Sequence, residues 1–120
     1  MSARKAEADE RKRYEDGNDW AALWTVEGGD ARRGPKLIAA FGCAACHTVP
    51  GVEGAHGNVG PPLTRFGDRT YIAGMLRNTP SNLRRWILDP QGVVPGNAMP
   101  HMGVSDADAR DIAAYLYTLR

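Results

Sequence analysis

A chain of 120 residues with a formal charge of +1 is long enough for one domain and too evenly charged for a nucleic-acid binder. Two Phe, three Trp and four Tyr, set against 14 Gly and 8 Pro, leave few large apolar side chains and much loop. No run reaches the ~20 apolar residues that a membrane-crossing helix needs, which excludes a span within this chain.

Residues 1–28 hold five basic and seven acidic side chains, and residues 29–120 hold ten basic and seven acidic, so the second part is mildly cationic. The charged stretch Ala3–Asp19 has no apolar core of the kind a secretory signal carries. Residues 1–28 are expected to be a solvated tail or linker, part-packed where Trp20 and Trp24 flank Leu23, and residues 29–120 the domain proper. Asp30 is a candidate cap for a first helix with Leu37, Ile38 and Phe41 on one face, although Pro35 equally suits the first turn of a helix that starts there. Gly51–Gly60 reads as a glycine-rich loop. Asp68 is expected to cap a short helix through Tyr71–Arg77, with Met75 packed beside Ile72 and Leu76.

Thr79-Pro80 opens a helix that runs to Leu88 and is closed by Asp89-Pro90. Gln91–Gly103 is loop. Ser105 with Asp108 resembles a capping box, and Ile112, Tyr115, Leu116 and Leu119 recur at i, i+3, i+4 and i+7 along a terminal helix. The expectation is an all-α domain of three or four helices and long loops, with no strand.

Both cysteines of the chain fall in Cys43-Ala44-Ala45-Cys46-His47. Thiols at this spacing can each add to a vinyl group of a porphyrin, and the adjoining imidazole then lies under its iron. A redox dithiol would be expected near a βαβ pattern, which the sequence lacks. A zinc site would have to draw on the isolated His56 and His101. One covalently bound haem c, with His47 on the iron, is the stronger reading. The other face of the iron has five candidate ligands: Met75, Met99, Met102, His56 and His101. Met99 stands in the stiff loop Pro95–Pro100 and is preferred, with Met102 as its rival.

The order CxxCH, Gly60-Pro61-Pro62-Leu63, Trp86–Pro90, Pro95–Pro100 and Tyr115-Leu116 resembles a class I c-type cytochrome over about Gly29 to Leu119. Asn78-Thr79-Pro80, Asn82-Leu83, Trp86-Ile87, Asp89-Pro90 and Pro95-Gly96-Asn97 are similar to the cytochrome c domain fused to subunit II of some bacterial haem–copper oxidases. Val94 stands where that family commonly has Lys. The resemblance implies the class I cytochrome c fold around one haem, with His47 and Met99 as axial ligands. It also implies that the Pro61 carbonyl accepts from His47 Nδ1, that Leu63, Trp86 and Leu116 wall the haem, and that Arg69 reaches a propionate. Gly34 would let the first helix cross close to Tyr115.

By the same resemblance the chain is a monomeric electron carrier rather than an enzyme. It would work outside the cytoplasm, as in a periplasm, between donor and acceptor proteins and towards a terminal oxidase. The chain is then one from which a leader or anchor has been removed, or a domain excised from a longer protein. The alternatives are an electron-entry domain of a larger redox enzyme, and a haem enzyme or gas sensor with a displaceable Met. Around the haem edge the small or apolar Ala44, Ala45, Val49, Val93 and Val94 suggest docking that depends little on charge.

Overall fold

The computed structural model describes residues 25–120. The expected packing of Trp20 and Trp24 therefore lies outside the described residues. Val26 already packs on the core, and its carbonyl accepts from Gly29 N at 3.0 Å.

Asp30 accepts from Arg32 N at 3.0 Å and so caps a single 3-10 turn, Ala31–Arg33. Helix α1, Gly34–Ala40, follows directly, with Pro35 in its first turn, where a missing N–H costs nothing. The cap and the proline each start something, one the tight turn and the other the helix. Gly42 (φ +80°) then breaks the chain into the single turn α2, Cys43–Cys46, after which His47 is extended. The next loop folds on itself, because Val49 N donates to Ala55 O at 3.2 Å and Val49, Val52 and Ala55 are all buried. Val49 is 2% exposed and belongs to the core, which removes it from any docking rim.

The segment Tyr71–Arg77 is a hairpin, not a helix. Strand β1, Tyr71–Ile72, pairs antiparallel with β2, Leu76–Arg77, through a tight turn at Ala73 and Gly74 (φ 51° and 69°). Ile72 points inward while Met75 is 65% exposed, so the expectation that Met75 packs in the core is wrong. Residues at helical spacing here alternate across a ladder only two residues long.

Helix α3, Pro80–Leu88, is capped by Thr79, whose hydroxyl accepts from Asn82 N at 3.3 Å. It buries Leu83 and Ile87. Asp89 ends it and at once caps another turn, α4, Pro90–Val93, by accepting from Gly92 N at 2.9 Å. Helix α5, Asp106–Leu116, is capped by Ser105, whose Oγ accepts from Asp108 N at 3.2 Å. It lies across both α1 and α3 and buries Ala109, Ile112, Ala113 and Leu116.

The crossing with α1 is close. A Cβ on Gly34 would fall 2.2 Å from the Cβ of Tyr115, so only glycine admits it. Asp111, 4% exposed, locks the same junction by accepting from Asp30 N and from Arg33 Nη1, each at 2.7 Å. Tyr117, beyond the helix, is buried edge-on against Phe66 and donates to Asn78 Oδ1 at 2.8 Å. Among the described residues the fold is helices and loops with one two-stranded ladder, and no helix is long and apolar enough to cross a membrane.

Candidate haem site

The helices enclose a mainly apolar cavity of about 330 Å³. Cys43, Cys46 and His47 form one side. Ile38 of α1, Leu83 and Trp86 of α3, and Ile112 and Leu116 of α5 contribute the walls. Met99 and Met102 close it from the loop ahead of α5. Neither cysteine is in a disulfide. Burial, with a smaller push from the neighbouring Cys46, holds the Cys43 thiol above its ordinary range, against a backbone hydrogen bond that pulls it down.

His47 is held from two directions. Its Nδ1 is 2.7 Å from the Pro61 carbonyl. A carbonyl only accepts, so Nδ1 carries the hydrogen and Nε2 keeps its lone pair for a metal. Gly60 presses on the ring, since a Cβ there would be 2.2 Å from Cε1. The backbone that carries these two residues is strapped to the attachment turn: Gly60 N donates to Cys46 O and Leu63 N to Thr48 O, each at 2.8 Å.

Every pocket residue expected from the sequence lines the cavity: Pro61, Leu63, Arg69, Trp86 and Leu116 join the thiols, the imidazole and Met99. Arg69 donates to the Pro62 carbonyl, with its guanidinium 5.6 Å from the centre of the Phe66 ring. Met102 lines the cavity too, packs against the core, and has its methyl 3.6 Å from the Cβ position of Gly42. His56 and His101 are exposed and outside the lining. Val93 and Val94 are half-buried, while Val59 at the mouth is 68% exposed.

Sequence reasoning missed three contributors. Gly60 was visible as a motif letter, but its contact with the imidazole depends on a fold. Gln91 was read simply as loop, and Asn97 as a letter of the Pro95-Gly96-Asn97 motif with no role for its side chain. Their side chains hold the backbone of residues 96–99, which is what stiffens a segment whose rigidity the sequence suggested through its prolines.

The donor set suits haem: two thiols, an oriented imidazole and a soft thioether around an apolar space. Such a site among packed helices defines the class of c-type cytochromes. The family model for cytochrome c matches residues 31–120, and the chain belongs to that family. Its cofactor is covalently attached haem c with iron, and its chemistry is electron transport.

The chain is 40% identical to cytochrome c oxidase subunit 2 of Alkalihalophilus pseudofirmus over 91 residues, 75% of this chain and 26% of that protein. It is 35% identical to cytochrome c2 iso-2 of Magnetospirillum fulvum over 92 residues, 67% of this chain and 95% of that one. With cytochrome c2 of Rhodopila globiformis it shares 33% over 104 residues, 77% and 95% of the two chains. The chain thus spans about a quarter of that oxidase subunit and nearly the whole of the cytochromes c2.

Proposed function

We propose that residues 29–120 form a single-haem electron-transfer domain in which Cys43 and Cys46 would bond the haem, and His47 and Met99 would bind its iron. The observation that carries this reading is the His47 Nδ1–H given to the Pro61 carbonyl at 2.7 Å beside both thiols. That contact fixes the tautomer and ring angle and raises the basicity of Nε2. When bound, the haem supplies a reversible one-electron change at its iron.

The chain decides how readily that change occurs. Leu63, Trp86 and Leu116 would keep water from the site, and a neutral thioether from Met99 on the iron would favour the reduced state. Arg69, which lines the cavity, would offer its charge to a propionate. Electrons pass from a donor protein to an acceptor outside the cytoplasm, with a terminal oxidase as the destination. Likeness to proteins named cytochrome c oxidase subunit 2 supports that destination. A second reading, the electron-entry domain of such an oxidase, draws its support from the 40% identity to cytochrome c oxidase subunit 2 over 91 residues.

Intact mass should exceed the chain by one haem, and acid–acetone should leave the colour in the protein. Colourless protein with free thiols would refute the attachment. The ferric form should show the weak far-red band of sulfur bound to iron. Met99→Ala should abolish it and Met102→Ala should not; the reverse result would transfer the role to Met102.

A further inference from the structure

Gln91 occupies the middle of α4, a one-turn helix that follows α3 without a gap because Asp89 ends one and caps the other. Its side chain turns towards the loop that follows. Nε2 donates to the carbonyls of Asn97 and Met99, both at 2.8 Å, and Oε1 accepts from Gly96 N at 3.0 Å. Both amide hydrogens and one acceptor site are therefore committed to three backbone groups within four residues.

Asn97 completes the arrangement. Its Nδ2 donates to Pro90 O at 2.9 Å and Val94 O at 2.6 Å, and its Oδ1 accepts from Met99 N at 2.6 Å. Residue 99 lies outside regular secondary structure. Its N–H is held by one side-chain amide and its C=O by another.

We infer that Gln91, acting with Asn97, is the positioning residue of the sixth-ligand loop: it fixes the backbone of Met99 so that the thioether stays at the cavity and resists displacement. The inference rests on the proposed ligation by Met99. A thioether is a weak neutral ligand, so its residence depends on how seldom its loop opens. Met102, which lines the same cavity, is a ready substitute whenever the loop lets go. With the clamp intact, the carbonyl of Met99 is tied to α4, and through α4 to the buried residues of α3. Without the Gln91 side chain, the bond from Met99 N to Asn97 is the one that remains at residue 99 among the described residues.

The test uses the haem-loaded protein. Gln91→Glu keeps size and acceptor but sets a carboxylate against two carbonyls, and Gln91→Leu removes all three bonds at similar volume. Both should raise the affinity of added imidazole for the ferric iron by about tenfold or more and weaken the far-red band. Unchanged imidazole affinity and band in both variants would overturn the inference. Should neither variant fold, amide hydrogen exchange in the parent decides. Slow exchange at Gly96 and Met99 supports the clamp, and exchange at unprotected rates overturns it. Loss of the band in Met102→Ala but not in Met99→Ala would overturn the ligand assignment and this inference with it. Slow exchange in that case would show that the clamp exists but holds some other structure.

Discussion

Replacing Gly60 by alanine puts one methyl group into the ring that the site depends on. The added Cβ would lie 2.2 Å from His47 Cε1, 2.7 Å from Nδ1 and 2.8 Å from Nε2. Contact at van der Waals distance requires the ring or its strap to retreat by roughly 1 Å. The Nδ1–Pro61 bond, at 2.7 Å, does not survive a shift of that size on one side only. Losing that bond costs about 0.5–1 kcal/mol near the surface, and overpacking a tight contact costs about 1–3 kcal/mol. The sum, about 1.5–4 kcal/mol, corresponds to a drop of roughly 6–30 °C in a domain of this size. Thermal melting of the haem-loaded Gly60→Ala protein, with imidazole proton shifts read by NMR, measures both parts. A variant that melts with the parent and keeps the His47 Nδ1–H signal in place would refute the argument.

Gly34→Ala makes the same kind of test at the α1–α5 crossing, where the new Cβ meets Tyr115 Cβ at 2.2 Å. Urea titration should show a loss of about 2–3 kcal/mol with little change in the spectrum of the folded fraction. Asp111→Ala leaves Asp30 N and the Arg33 guanidinium without their acceptor and should cost about 2–4 kcal/mol, with Asp111→Asn costing less because one amide oxygen can still accept. Equal costs for the two variants would show that the charge and not the hydrogen bond matters. Asp30 is held below its ordinary 3.8, first by the Arg32 guanidinium and then by the Arg32 N–H. A carboxyl made more acidic by folding stabilises the protein above its ordinary value, and that contribution disappears as pH falls through the folded value. Asparagine caps as well as aspartate, so Asp30→Asn should melt lower than the parent at neutral pH, with the gap closing in acid below about 3.8. A gap independent of pH would remove the charge from the explanation.

The attachment motif was legible because its chemistry demands particular atoms at a fixed spacing, and no fold is needed to see them. Helices α3 and α5 were legible for a different reason. Thr79-Pro80 and Ser105 satisfy orphan N–H groups locally, and the apolar repeat of α5 matches a helical turn. The hairpin at 71–77 was not, because two-residue strands are too short to show alternation, and Ile72, Met75 and Leu76 happen to fit helical spacing. Val49 looked like surface because its burial comes from a loop that folds back through Ala55. Tyr117 lies just past the helix, so the periodicity that marked Tyr115 passed over the residue that packs on Phe66. The Gln91 clamp joins residues five to eight apart through side-chain amides, a distance at which single-sequence patterns carry no signal.

The lock between Asp111 and the start of the domain spans separations of 81 and 78 residues. Contacts of such separation form late in folding, after α1 and the attachment turn that follows it can form locally. During that interval Cys43 is neither enclosed nor shifted towards its protonated form by burial. A chain in which that late contact has not yet formed therefore gives bond formation at the two thiols a window that the finished fold narrows. Substitutions that weaken the lock, such as Asp111→Ala, should lengthen the window even as they lower stability. Yield of haem-bonded chain and melting temperature can then move in opposite directions.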